Sequence, residues 1–215
     1  MEIPFPLIYS IMKRIFAIIL LILPAMLATA QIQLPPAKWN SDITLDKALR
    51  KRQSNRTFSD KKIDEQTISN LLWAANGINR QDGRRTAPSA RNCQEIDIYL
   101  FTEDFVYLYL PKEHQLKVVL DGDHRGEAAI QPFAQKAPLL LVFVANYEKM
   151  GDMDDESREF YGATDCGFVS QNVYLFCAAE KLNTVVLGMI HRDGIKDLLN
   201  INGKAILAQP IGYEK

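Results

Sequence analysis

The chain has 215 residues, with 25 Lys and Arg against 26 Asp and Glu and a formal net charge of −1, so no basic face points to nucleic acid or an anionic membrane surface as the main partner. Its 3 cysteines, Cys93, Cys166 and Cys177, are odd in number and lack metal-ligand spacing. That argues against a disulfide framework or a zinc site and leaves them as small buried or half-buried thiols.

At the start, Lys13-Arg14 precede an apolar run over 15–27 that ends in Ala28-Thr29-Ala30. A basic n-region, an apolar region short for a bilayer and a small-x-small site before Gln31 read as a secretory signal peptide over residues 1–30, with Met12 as an alternative start. The expectation is export, periplasmic or secreted. If residues 1–11 lengthen the run into an uncleaved segment, the chain is instead anchored to a membrane. The remaining chain, about 185 residues, suffices for one domain with its own core.

Residues 31–43, with Pro35-Pro36, read as an extended arm, and 44–51 has helical spacing through Leu45 and Leu49. From Asp64 the pattern Ile68, Leu71, Leu72, Ala75 predicts a helix capped by Asp64 and ended by Gly77. Residues 81–89 are polar and broken by Pro88, a loop carrying Arg84 and Arg85. Alternation over 96–101 and 105–110 predicts an antiparallel hairpin. The continuous apolar run 139–144 suits a strand buried on both faces. A polar segment over 148–158 leads to the longest helix, about 164–181, with Phe168, Val169, Val173, Phe176 and Cys177 on its core face. A second buried strand over 183–189, a short helix from Asp193 and a last strand over 205–211 complete one α+β domain over 44–215.

Four clusters carry possible chemistry. Arg52-Gln53-Ser54-Asn55-Arg56 sets two guanidiniums four residues apart around a serine, a fork that can close on a phosphate, although arginines at a helix end also simply face solvent. Residues 121–127 gather Asp, His and Glu but match no calcium or zinc spacing, and read as a solvated loop before a helix at Ala128. Asp152, Asp154, Asp155 and Glu156 read as charges favoured at a helix start. No Gly-x-Ser-x-Gly occurs and His114, His124 and His191 have no evident nucleophile partner, so a hydrolase reading fails. Cys166, beside Asp165, reads as a buried helix thiol.

Taken in order, Arg52-Gln53-Ser54-Asn55-Arg56, Pro88-Ser89-Ala90-Arg91-Asn92-Cys93-Gln94, Asp165-Cys166-Gly167, Leu187-Gly188-Met189 and Pro210-Ile211-Gly212-Tyr213 resemble the flavin-dependent nitroreductase family from about Thr44 to the end. The version resembled is the compact one of the subgroup that includes azoline-forming oxidases. The resemblance implies a mostly antiparallel sheet flanked by helices, and a homodimer with FMN at the subunit interface. It implies that Arg52 and Arg56 clamp the FMN phosphate, with Ser54 and Gln53 hydrogen-bonding nearby and Lys215 adding charge. Pro88, Ser89 and Ala90 would come from the partner subunit along the ring. Asn92 and Gln94 would serve the pyrimidine end, and Leu187, Gly188 and Met189 would bring backbone N–H groups to N5.

The implied activity is two-electron transfer through flavin to or from a small, aromatic substrate such as a nitro compound or quinone, with NAD(P)H as a candidate donor. No catalytic acid or base and no metal is assigned, since FMN supplies the chemistry. An FMN-dependent oxidase or dehydrogenase of a peptide or small metabolite, and a non-catalytic flavin-fold binding protein, remain alternatives. In the family the middle segment often covers the flavin, which would bring Tyr147, Met150, Met153, Phe160 and Tyr161 to substrate. The chain departs from the family pattern at Gln53, where a second arginine is commoner, at Glu95-Ile96, where many members have Pro-Trp, and in its short basic tail.

Overall fold

Residues 30–38 and 43–215 are described in the computed structural model, and within them seven strands form one sheet. The strands are β1 (Gln31–Gln33), β2 (Ile96–Phe101), β3 (Phe105–Leu110), β4 (Gln115–Asp121), β5 (Leu139–Asn146), β6 (Leu182–Thr184) and β7 (Gly203–Tyr213). Their spatial order is β1-β4-β3-β2-β5-β7-β6, and every pairing is antiparallel. The helices are α1 (Leu45–Lys51), α2 (Glu65–Asn76), the single turns α3 (Arg125–Ala128) and α4 (Pro132–Gln135), the long α5 (Asp155–Glu180) and α6 (Arg192–Leu199). Of the expected signal segment, only Ala30 lies among the described residues.

The apolar run of β5 explains the layering. Successive side chains of a strand point to opposite faces. Leu139, Leu141, Phe143 and Ala145 therefore enter one core, with Leu71, Leu72 and Ala75 of α2 and Cys166, Val169, Val173, Phe176 and Cys177 of α5. Leu140, Val142 and Val144 enter a second core, with Ala128 of α3, Ala134 of α4 and Ile195 of α6. Helices thus cover both faces, and the α+β, antiparallel expectation holds.

Local chemistry sets the helix ends. Asp64 caps α2 by accepting from the Thr67 N–H at 2.9 Å, and Asp154 caps α5 by accepting from the Ser157 N–H at 2.7 Å. Gly77 ends α2 with extended backbone, not a left-handed turn; what excludes a side chain there is Trp73, whose Cα lies 2.6 Å from where a Cβ would stand. His114 is a structural histidine. Its ring meets the Tyr109 hydroxyl at 2.9 Å and the Ser69 hydroxyl at 2.7 Å, its carbonyl accepts the Leu34 N–H, and it thereby fastens residues 34–35 to α2 and the β3–β4 turn.

Several expectations need correction. The arm contributes β1, which pairs with β4, a strand not singled out although Leu116, Val118 and Leu120 alternate. The segment expected as a strand over 183–189 is β6 for only three residues, followed by a single bridge from Leu187 to Ala208. Helix α5 begins at Asp155, well before 164. Phe168 lies about 200° around α5 from Cys166 and is 44% exposed, so it is not on the core face. Leu45 and Leu49 are likewise exposed. Met150 and Met153 are buried, which removes both from any substrate surface in this conformation. The thiols of Cys166 and Cys177 are fully buried and that of Cys93 half-buried.

Candidate functional site

Helix α5 holds the motif segments by two buried side chains, Tyr174 and Asp165. The Tyr174 hydroxyl lies 2.9 Å from Ser54 Oγ and accepts the Val186 N–H at 2.8 Å. The Arg52 guanidinium lies over the Tyr174 ring, 5.3 Å from its centroid. One phenol therefore joins the arginine segment to the turn that carries Leu187-Gly188-Met189. Asn55 reinforces the junction: its N–H donates to Thr184 O at 2.9 Å and its side-chain amide to Asn183 Oδ1 at 2.8 Å.

Within that turn, Leu187 is buried and exchanges backbone hydrogen bonds with Ala208 at 2.7 and 3.1 Å. Gly188 faces open space, since a Cβ there would meet nothing within 4 Å, and Met189 is 64% exposed. Arg192 locks the turn from behind, its Nη2 donating to Gly188 O at 2.8 Å and Ile206 O at 3.0 Å. Among the described residues Arg52 and Arg56 make no ion pair, so both charges are available to an anion. Gln53 lines a cavity of about 320 Å³ that borders the same junction, with Asn55, Tyr174, Arg50, Lys51 and Lys181 in its wall. Lys215, next to Glu214, is exposed.

The second group, residues 88–94, is held elsewhere. Ala90 N donates to Asp165 Oδ2 at 2.8 Å. Ser89 Oγ accepts the Gln94 N–H at 2.9 Å, Gln94 Nε2 donates to Gly83 O at 3.1 Å and Asn92 Oδ1 at 3.3 Å, and Arg85 Nε donates to Gln94 Oε1 at 3.0 Å. The chain is strained here, with Arg91, Asn92 and Gln94 all at positive φ, 54°, 57° and 52°. Just beyond lies Glu95, fully buried with neither carboxyl oxygen partnered. Burial, then the facing Asp165 carboxyl, pushes Glu95 up to about 7, opposed first by its own backbone N–H and then by Arg85.

Asp165 and Tyr174 lie about two and a half turns apart on α5, at opposite flanks of its buried face. One protomer thus gathers Arg52, Ser54, Leu187, Gly188 and Met189 near Tyr174 on one flank of α5, and Pro88, Ser89, Ala90, Asn92 and Gln94 near Asp165 on the other. Exposed apolar side chains share the outside of α5 and its neighbour α1: Phe160, Tyr161 and Phe168 with Leu45 and Leu49. The anchors Asp165, Tyr174 and Arg192 were not singled out as site residues from the sequence; a tyrosine or aspartate on a helix flank carries no local signal.

The other candidate clusters are structural. Asp123 pairs with Arg125, which also donates to Ala137 O, and His124 pairs with Glu127. Among the described residues no group of three or more His, Cys, Asp and Glu is placed to hold a metal ion.

Comparison with known proteins identifies the family. The sequence profile described as the nitroreductase family matches residues 49–213. A nitroreductase-type protein of Methanocaldococcus jannaschii is 31% identical over 194 residues, covering 86% of this chain and 96% of the relative. A crystal structure of a nitroreductase-type protein from Ralstonia eutropha JMP134 superposes with a TM-score of 0.81 at 36% identity, over 86% of this chain and 90% of that one. A chain of the Escherichia coli microcin synthetase complex shares the fold alone, with a TM-score of 0.65 at 18% identity over 90% of this chain and 81% of that chain.

Proposed function

This chain belongs to the nitroreductase family, an oxidoreductase family, and from that premise we propose that it is an FMN-dependent oxidoreductase acting on a small, aromatic electron acceptor or donor such as a nitro compound or quinone. The residues present fit the cofactor. Two guanidiniums without counter-ions among the described residues suit a phosphate dianion, and a glycine turn open on one side suits the approach of a flat ring. When bound, FMN supplies two-electron hydride chemistry at N5, which no side chain here offers.

The protein's own part is binding and orientation. Arg52, Arg56 and Ser54 hold the phosphate end, with Gln53 and Lys215 adding to its polar and cationic surroundings. The backbone at Leu187, Gly188 and Met189, locked by Arg192, would serve the ring. Pro88, Ser89, Ala90, Asn92 and Gln94 act from a second copy of the chain. Two features support that homodimer: the two motif groups occupy opposite flanks of α5, and the outside of α5 and α1 carries an apolar stripe of the kind monomers rarely leave exposed. NADH or NADPH is the proposed donor. Residues 1–30 support export, to be tested by fractionation and N-terminal sequencing of the native protein.

The observation that carries the reading is the Tyr174 hydroxyl, which brings the arginine segment and the glycine turn to one point. The test is an absorbance spectrum of purified protein, with or without added FMN, followed by stopped-flow reduction with NADH and NADPH. A yellow dimer with one FMN per subunit, bleached by a nicotinamide donor and re-oxidised by a nitroaromatic or quinone, is expected. A colourless dimer that takes up no added FMN would falsify the assignment.

A further inference from the structure

Glu95 joins the strained residues 88–94 to β2. Its carboxyl is fully buried, and neither oxygen has a hydrogen-bond partner of good geometry, its own backbone N–H being the nearest donor influence. An ionised carboxylate in that state is strongly unfavourable. The group facing it is another acid, Asp165, buried as well and already accepting the Ala90 N–H through Oδ2. Two carboxyl groups can satisfy each other only when one proton lies between them.

We propose that Glu95 is a positioning residue: it carries the single proton of a Glu95–Asp165 carboxyl pair, donates it in a hydrogen bond to Asp165, and so holds in place the acceptor that fixes Ala90 and the left-handed turn of residues 91–94. Other groups around Glu95 are consistent with this. Arg85 favours the ionised form, but its Nε is engaged by Gln94. Cys93 and Cys166, both pushed up chiefly by burial, stay neutral thiols and add no further anion. From α2 and β5, the Asn76 amide and the Asn146 N–H go to the backbone carbonyls of Ile96 and Glu95 and leave the carboxyl unserved.

The consequence is a loop whose geometry depends on pH. With the acidity of Glu95 displaced to about 7, the pair is closed in mild acid. In mild alkali Glu95 has given up its proton, the carboxyl–carboxyl hydrogen bond is lost, and Ala90 loses a fixed acceptor. The proton assignment stands independently of the cofactor; its effect on FMN rests on the functional reading above.

The full chain, free of flavin, is followed between about pH 5 and about pH 9 by the infrared band of a protonated carboxyl and by the Ala90 amide resonance. The wild-type band disappears, and the Ala90 amide shifts, with a shared midpoint near neutrality. In E95Q, whose amide donates to Asp165 at every pH, the band is absent and Ala90 does not titrate. In D165N, whose amide donates to an ionised Glu95, the midpoint moves to lower pH. A wild-type protein without the band, a band that survives E95Q, or an Ala90 amide that titrates equally in E95Q overturns the proposal. FMN affinity is then measured for wild type and E95Q at both ends of the range, and the ratio cancels the phosphate's own ionisation. A change in that ratio of about tenfold is expected, and a flat ratio overturns the link to the cofactor. If neither protein binds FMN at any pH, it is the functional reading that fails, while the two spectroscopic readouts still decide the proton.

Discussion

The centre of the sheet and the loops around α5 are ordered in different ways. In β5 each side chain from Leu139 to Ala145 is buried among many others, on alternating faces, and the strand is paired on both sides. Its order is collective. Residues 88–94 and the turn at 186–189 instead depend on a few polar contacts each: Asp165, Ser89 and Arg85 for the first, Tyr174, Arg192 and the Ala208 backbone for the second. The loops combine three positive-φ residues with an unpartnered buried acid, features absent from β5. A framework built this way tolerates strain at its rim because none of the rim's contacts is needed to hold the sheet.

That contrast can be broken most severely at Gly203. A Cβ there would overlap the carbonyl of Ala145 on the adjacent strand, where only backbone movement gives relief. Gly203→Ala is expected to cost more than about 3 kcal/mol in urea unfolding, with flavin binding lost alongside the fold. A loss below about 1 kcal/mol would show that the β5–β7 pair is softer than its burial implies.

Next in size is a pH effect. Glu95 titrates higher in the folded protein than the usual 4.5, at about 7. The folded state therefore holds a proton that the unfolded chain has released. Stability is greatest below about 4.5, falls as pH rises toward 7, and is flat beyond, by roughly 3 kcal/mol in total from this group. E95Q removes that slope in urea melts at a series of pH values; a slope that persists unchanged assigns it to other groups.

Smaller, and confined to the rim, is Arg52→Ala. Losing one guanidinium from the proposed phosphate fork is expected to weaken FMN binding by about 2 kcal/mol and to flatten its salt dependence, while the flavin-free protein loses only the Tyr174 ring contact, about 0.5 kcal/mol. Equal FMN affinity would place the phosphate elsewhere. The smallest effect belongs to Tyr174→Phe, which removes the hydroxyl shared by Ser54 and Val186 but keeps the ring. About 1 kcal/mol of stability is expected to go, together with hydrogen-exchange protection at the Val186 amide, while amides in β5 stay protected. Loss of protection in both places would contradict the separation of rim from sheet.

What the sequence disclosed follows the same division. Strand β5 and the β2–β3 hairpin were legible because period two and continuous burial are local patterns. Helix α2 was legible from Asp64, its apolar spacing and Gly77. The start of α5 was not, since residues 155–163 are largely polar and only the Asp154 cap marks them as helical. Phe168 was assigned to the core because it is apolar, although its angular position places it outside. At the site, Arg52, Ser54, Asp165 and Gly188 stood out as motif residues, but the anchoring of Ala90 by Asp165 and the part of Tyr174 depend on long-range geometry. Glu95 was read only as a missing aromatic contact, and its burial against Asp165 became visible only in three dimensions.

Strand β1 bears on how the sheet meets its surroundings. Gln31, Ile32 and Gln33 pair with Lys117, Leu116 and Gln115 at the sheet margin. Among the described residues, only these three screen the outer edge of β4. Shortening the arm past Gln33 would bare a row of backbone donors and acceptors, a template on which another extended polypeptide adds.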